Sequence, residues 1–510
     1  MRKSRLTISL LSTYIATLYS ASSYFIVLPF LLEAFGVEQF GLISIFMLLQ
    51  AWLNIVDAGF SGSVTRLIAE SSNSYKNLSA AITIFNKILL LFIAISGAAL
   101  LIFLQIRLFI VENWINSEIN EHILSTSILY IVLVLIVKYL TGPIRGAMQG
   151  FERHTEISLI LIVATTMKFP MATYLSIQYK LEIIEYFQFQ FLVALVEFML
   201  FATLFLRNKT LFLSELEHYT KNYDDVQDLE VPTFRKTLYL TFSLSLLSVL
   251  WVLNSQFDKL ILSGIIPLSD FSLFSITVSL SSAMLLIASP LSQILGPRLT
   301  KLHTQGLVDD YRNLVKNSFA FVTCICGSFL FLLMFFGGEI LLIWTNNNVL
   351  AETHATTLTL LGIGNLICLY MNICYLVLYS RGQLKIHAKV YTVFSLVLMP
   401  ITYFIAHKYA VDGVTLLWIS QNIVIFCLWG SVVLIKIFGF KFMLECLSAM
   451  SLCLGLIFLI VKLMHVFSPI FDSDFTSLAY LSICGLASFL VSTFSYWVIF
   501  INSSSKAKIL

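Results

Sequence analysis

Apolar positions in this chain run in long unbroken stretches between short polar loops, and fourteen stretches approach or exceed the roughly 20 residues that a helix needs to cross a hydrocarbon core. They are 7–33, 40–60, 82–106, 122–142, 157–178, 186–206, 238–262, 271–295, 317–345, 356–380, 390–407, 413–435, 443–464 and 478–501. Alternating segments of about ten residues, the mark of a membrane barrel, do not occur, and open backbone in lipid is too costly to leave unpaired. The pattern predicts an all-α polytopic membrane protein of about fourteen transmembrane helices.

Composition agrees. Hydrophobic residues make up 58% and charged residues 12%, about half the charge of soluble globular proteins, and mean hydropathy is +0.90. Met1-Arg2-Lys3-Ser4-Arg5 ahead of an apolar stretch has the look of a signal peptide, and Ser20-Ala21-Ser22 offers small residues for cleavage. The stretch continues to Phe35, too long for a leader core, which predicts an uncleaved first helix. All eight cysteines lie between Cys324 and Cys484. Only Cys324 and Cys326 are close in sequence, and two residues apart on a helix they face different ways, so neither a metal site nor a disulfide is expected.

Charge sets the expected orientation, because Lys and Arg concentrate in cytoplasmic loops. With the N-terminus inside, inner segments hold 24 Lys and Arg against 12 acids, and outer segments 5 against 14. Both termini are then expected in the cytoplasm. The polar stretch Arg207 to Lys236 holds five basic and six acidic residues without a strong apolar face, and reads as a linker between two lobes. It is too short for a soluble catalytic domain.

Two matches between the halves share one spacing. Phe40, Leu42, Ser44 and Ile45 at the start of helix two correspond to Phe271, Leu273, Ser275 and Ile276 at an offset of 231. Gly150 and Arg153, after helix four, correspond to Gly382 and Lys385, after helix ten, at an offset of 232. The pattern predicts a duplicated six-helix unit whose copies share orientation, related by an axis along the membrane normal. The expected organisation is an N-lobe over 1–206, a linker over 207–237, a C-lobe over 238–436, and a final helix pair with a cytoplasmic tail over 437–510.

Ionisable side chains within spans are expensive, so each asks for a wet cavity or a partner. Lys168 lies midway along helix five, two residues before Pro170, which removes a backbone donor and bends a helix. Glu197 lies near the middle of helix six. Two readings stand: Lys168 as a cationic anchor with Glu197 as a proton-sensitive group, or the two as partners on consecutive antiparallel helices. Lys138, toward the inner end of helix four, can snorkel to the interface or bind. Asp57 lies near the inner end of helix two, in a segment with Gly59 and Gly62, and Arg66 and Glu70 follow. An Asp57–Arg66 pair at an inner gate is expected there, with Asp258 and Lys259 serving the outer gate in the same way. No nucleotide-binding loop, metal-ligand cluster or nucleophile constellation is present in the sequence, which argues against direct use of ATP and against an enzyme.

Several segments together resemble the polysaccharide transporter family, the O-antigen flippases of the MOP superfamily. They are Phe35-Gly36-Val37-Glu38-Gln39-Phe40-Gly41-Leu42, Val56-Asp57-Ala58-Gly59-Phe60 through Arg66 to Glu70, Ala147-Met148-Gln149-Gly150-Phe151-Glu152-Arg153, Gln256-Phe257-Asp258-Lys259-Leu260, Pro297-Arg298-Leu299 through Gly306 to Tyr311, and Arg381-Gly382-Gln383-Leu384-Lys385. The likeness covers roughly residues 5–435, and each motif alone is short. It implies six plus six helices around a central cavity, alternating access, and an undecaprenyl-pyrophosphate-linked oligosaccharide as substrate. Helices thirteen and fourteen exceed the twelve of many members. Related lipid II flippases place arginines in the first helices of a cationic cavity, whereas helix one here offers Tyr14, Tyr19 and Tyr24.

The candidate substrate-binding cations are therefore Lys168, Lys138 and Arg145, and the candidate gate or coupling residues are Asp57, Arg66, Glu197, Asp258 and Lys259. No cofactor is expected beyond coupling to a proton or sodium gradient. The expected setting is the bacterial inner membrane, in an O-antigen, lipopolysaccharide or other glycan pathway. Membrane lipids and polysaccharide assembly proteins are the expected partners, and nucleic acid is not. A cation-coupled multidrug exporter of the same superfamily is the alternative. A glycan polymerase or ligase fits less well, because such enzymes expose a large outer loop and the outer loops here are short.

Overall fold

The computed structural model describes residues 2–72, 74–222, 249–250, 252–468 and 474–496, and all regular structure among them is helical. Among the described residues, eleven helices are long and apolar enough to cross a membrane. Three of the eleven contain non-helical backbone: Val308–Thr345 at Phe336 (φ −123°, ψ 16°), inside one apolar run, and two left-handed breaks, in Arg2–Ser71 at Gly36 (φ 70°, ψ 170°) and in Leu384–Ile425 at Ala410 (φ 45°, ψ −129°). Both left-handed breaks fall in gaps between the predicted apolar runs, so each continuous helix holds two expected crossings. The seventh run is described at 249–250 and from 252, and is helical there to 262. The chain is an all-α polytopic membrane protein, as the hydropathy pattern predicts.

The chain divides into two compact units, Met1–Ser272 and Leu273–Leu510. The core of the first is built by Val64, Ile68, Phe85, Ile144, Met148, Phe151, Phe201 and Phe205, all buried. The sixth span, Ile183–Asn222, continues through the first half of the stretch expected to be a linker. That half is helical because it has an apolar face after all: Phe212, Leu213 and Leu216, at helical spacing, pack on the core, and Phe212 stacks on Phe151 at 4.8 Å. Arg207, Lys209, Glu215 and Glu217 around them mask the face in a linear reading. Residues 223–248, the rest of the expected linker and the start of the seventh run, lie outside the described residues.

The turn after residue 262 is seated on the loop between the third and fourth spans. Trp114 Nε1 donates to Ser263 Oγ at 3.3 Å, and the Leu268 amide donates to the Asn116 carbonyl at 2.8 Å. In the second unit, Phe440–Val466 and Asp474–Tyr496 pack on the ninth span, Val308–Thr345, through Ala320, Cys324, Ala449, Cys453 and Tyr496. Tyr496 Oη donates to Asn317 Oδ1 at 2.8 Å, and Glu445 sits between Arg312 at 3.5 Å and Lys316 at 3.8 Å. The final helix pair is thus part of the second unit.

Candidate functional site

The fourth span, Glu121–Gly150, places Gly142, Gly146 and Gly150 at four-residue intervals along one face. The second span meets that face with Asp57, Ser61 and Thr65 at the same interval. A Cβ on Gly146 would stand 2.6 Å from the Ser61 carbonyl oxygen, and one on Gly150 would stand 2.7 Å from Ile68 Cβ, so the two backbones pack closer than any side chain allows. Hydroxyls fill the seam. Ser61 Oγ donates to the Gly142 carbonyl at 2.9 Å, and Thr65 Oγ1 to the Gly146 carbonyl at 2.9 Å.

Asp57 closes the top of this seam, almost fully buried. Its Oδ2 accepts from Arg145 Nη2 at 2.8 Å, and its Oδ1, 2.7 Å from Ser61 Oγ, shares that hydroxyl's single proton with the Gly142 carbonyl. The expected partner, Arg66, instead bridges Glu70 at 2.6 Å in the open. The helix runs unbroken from 57 to 66, and nine residues at 3.6 per turn place Arg66 about 13 Å along and half a turn round, beyond reach of Asp57.

About one helical turn before Gly142, the fourth span engages the sixth. Lys138 Nζ pairs with Glu197 Oε2 at 3.1 Å, with only 19% and 11% of the two side chains exposed. Lys138 therefore does not snorkel, and Glu197 takes it in place of Lys168 as its bonded partner. The fourth and sixth spans pack on one another, and this brings Lys138 to Glu197 directly. Arg145 and Lys168 also lie within electrostatic reach of Glu197.

Lys168 sits on a π turn, Met167–Met171, where the Ala172 amide bonds the Met167 carbonyl five residues back. Pro170 has no N–H to give to Thr166, and the wider turn accommodates that loss. The ammonium bonds Gln50 Oε1 of the second span and lies 5.5 Å from the ring centre of Phe46 and 5.2 Å from that of Phe169. Neither contact supplies a negative charge. The first span joins the same turn: Tyr24 meets Phe169 edge-on at 5.8 Å, Tyr19 Oη bonds Thr166 Oγ1 at 2.8 Å, and Ser20 Oγ bonds Thr165 Oγ1 at 2.8 Å.

Asp258 and Lys259 pair with each other at 3.3 Å, both largely buried, and Lys259 Nζ also donates to the Ser255 carbonyl at 2.7 Å. Apart from Glu445 with Arg312 and Lys316, the interior polar contacts among the described residues of the second unit are uncharged: Trp418 to Asn365 at 3.2 Å, Tyr370 to Thr323 at 2.8 Å, Ser292 to Asn372 at 3.2 Å and Trp429 to His387 at 3.1 Å. Among the described residues, the buried charge of the spans is gathered in the first unit, where Lys138, Arg145 and Lys168 face Asp57 and Glu197.

No protein-family profile matches the chain. Over 402 residues it is 20% identical to a protein of Shigella flexneri named as a candidate O-antigen transporter, covering 77% of this chain and 88% of that one. A structure of the lipid II flippase MurJ in an inward closed conformation superposes with a TM-score of 0.68 over 97% of this chain and all of its own, at 14% identity. The chain has the fold of these transporters. An inward-facing multidrug-resistance MATE transporter of the MOP superfamily follows with a TM-score of 0.64, covering 85% of this chain and 98% of its own, at 11% identity. Each of the three is a transporter or a flippase, not an enzyme.

Proposed function

We propose that the chain is a flippase that moves an undecaprenyl-pyrophosphate-linked oligosaccharide, an O-antigen or other surface-glycan repeat unit, across the bacterial inner membrane by alternating access. The reading is supported by the O-antigen transporter relative and by the shared fold with a lipid II flippase. The observation that carries it is the charge balance of the first unit. Asp57 is consumed by Arg145 and Glu197 by Lys138, and Lys168 is left against a neutral amide and two rings. An ammonium held in a span without a bonded carboxylate is stabilised by an anion, and a pyrophosphate supplies one.

In this reading Lys168 receives the phosphates, and Arg145 and Lys138 are reserves released when their carboxylates are neutralised. Asp57 and Glu197 then couple transport to a proton or sodium gradient, with both termini in the cytoplasm and assembly proteins receiving the product. The second reading, a cation-coupled multidrug exporter, is favoured by the MATE superposition. A strain lacking the protein and complemented with variants separates them. Lys168→Ala is expected to abolish surface-glycan display at normal membrane abundance, and Lys168→Arg to retain much of it. Normal display from an abundant Lys168→Ala protein, or normal display in the strain without the protein, would remove the flippase reading.

A further inference from the structure

The π turn that holds Lys168 frees a backbone carbonyl. In an α-helix the Lys168 carbonyl would accept from the amide of Ala172, but that amide is engaged by the Met167 carbonyl instead. A carbonyl without a donor is costly within a span, so the turn persists only where something else donates. Gln190 of the sixth span does so: its Nε2 donates to the Lys168 carbonyl at 2.8 Å, and the residue is 2% exposed.

The second unit repeats the arrangement with different residues. At the π turn Phe426–Gly430 the Ser431 amide bonds Phe426 five residues back, and the freed carbonyl of Cys427, again the second of the turn, accepts from the Ser431 hydroxyl. Both π turns are thus capped at the same position by a side chain. At the second the donor comes from within the helix, and at the first it comes from a neighbouring helix.

We propose that Gln190 is a positioning residue for Lys168: by capping the carbonyl of the π turn it sets the helix register that holds the ammonium against Gln50, between Phe46 and Phe169. The π turn inserts one extra residue, and reverting it to α would swing the Lys168 side chain by about 100° away from the second span. The role in anion binding rests on the reading that Lys168 receives the phosphates. Gln190 would set the affinity for an anion it never touches.

Two measurements on the full-length protein test this. In a chain whose eight cysteines are replaced, Gln50→Cys and Lys168→Cys are joined by a short bifunctional methanethiosulfonate, and the yield reports the register whatever the ligand. Gln190→Met, close in volume but without a donor, is expected to lower the yield several-fold. An unchanged yield would overturn the proposal. Where Gln190→Met fails to accumulate, the same yield is read in Gln190→Met with Pro170→Ala, which restores an amide for Thr166 and lets the turn close as α; cross-linking at the parent yield there would equally overturn it.

The second measurement is binding of inorganic pyrophosphate by calorimetry in lipid nanodiscs. Gln190→Met is expected to weaken it about tenfold, a loss of about 1.4 kcal/mol, and to add nothing once Lys168→Ala is present. Additive weakening would overturn the positioning role. Lost cross-linking with pyrophosphate affinity unchanged in both Gln190→Met and Lys168→Ala would uphold the register role and sink the phosphate reading.

Discussion

Asp57 Oδ1 lies 1.9 Å from the point that a Cβ on Gly142 would occupy, so the carboxylate fills the space this glycine leaves open. The same oxygen shares the Ser61 hydroxyl proton with the Gly142 carbonyl, and the other accepts from Arg145, three residues beyond Gly142 on the fourth span. One missing side chain therefore admits a buried charge, and the charge ties two spans together.

Gly142→Ala is expected to expel the Asp57 carboxylate from the seam and leave Arg145 unpaired. Overpacking alone costs about 1–3 kcal/mol, and breaking a buried ion pair a further 3–5 kcal/mol or so. Thermal unfolding in detergent and membrane abundance should both fall sharply. A Gly142→Ala protein as stable as the parent would show that Asp57 has another place to go.

Lys138 and Glu197 form a largely buried pair, so removing either charge strands the other. Lys138→Met and Glu197→Gln should each lower the unfolding midpoint, and the double variant should recover most of the loss, with a coupling of about 1–3 kcal/mol. Equal, additive losses would mean that the two groups do not act together. Transport in a stable double variant reads the remaining question, whether Glu197 also couples an ion.

The two helix breaks with positive φ predict effects of opposite sign. Gly36 has φ 70° and ψ 170°, a region closed to residues with a Cβ, and nothing lies within 4 Å of the added atom. Gly36→Ala should therefore destabilise through backbone strain alone, by about 1–3 kcal/mol. Ala410, an alanine at φ 45°, already bears such strain, and Ala410→Gly should raise the unfolding midpoint. A lowered midpoint in Ala410→Gly would remove the strain argument.

Orientation is testable by labelling. With 24 of the basic residues on the inner side of the expected topology, a cysteine at Ser117, in the loop after the third span, should react with an impermeant maleimide from outside. One at Ser214, on the exposed face of the extended sixth helix, should react only after the membrane is opened. Reaction of Ser214→Cys in intact cells would invert the assignment.

The sequence by itself determined the helical class and where along the chain the described crossings lie. Apolar run length decides these, and lipid leaves the backbone no alternative to a self-bonded helix. It also singled out Asp57, Lys138, Lys168 and Glu197, because an ionisable group in an apolar run is legible without a structure. The close approach of the second and fourth spans was not read from the sequence: Asp57, Ser61 and Thr65 meet Gly142, Gly146 and Gly150, each at four-residue spacing. Only the first of these two ladders has a charge to draw attention to it.

Partner choice is what the tertiary structure decided. Asp57 bonds Arg145 rather than Arg66, and Glu197 bonds Lys138 rather than Lys168. Each true partner lies 59 to 88 residues away in the chain, on a helix whose rotation is set by glycine contacts and by packing that hydropathy does not register. The π turn belongs to the same class. Pro170 announces a disturbance in the fifth span, but whether the helix kinks or widens depends on a donor for the freed carbonyl. Gln190 supplies it from another helix, 22 residues on. Run length is a property of a segment, whereas the pairing of buried charges and carbonyls is a property of neighbours, and only the folded chain brings the neighbours together.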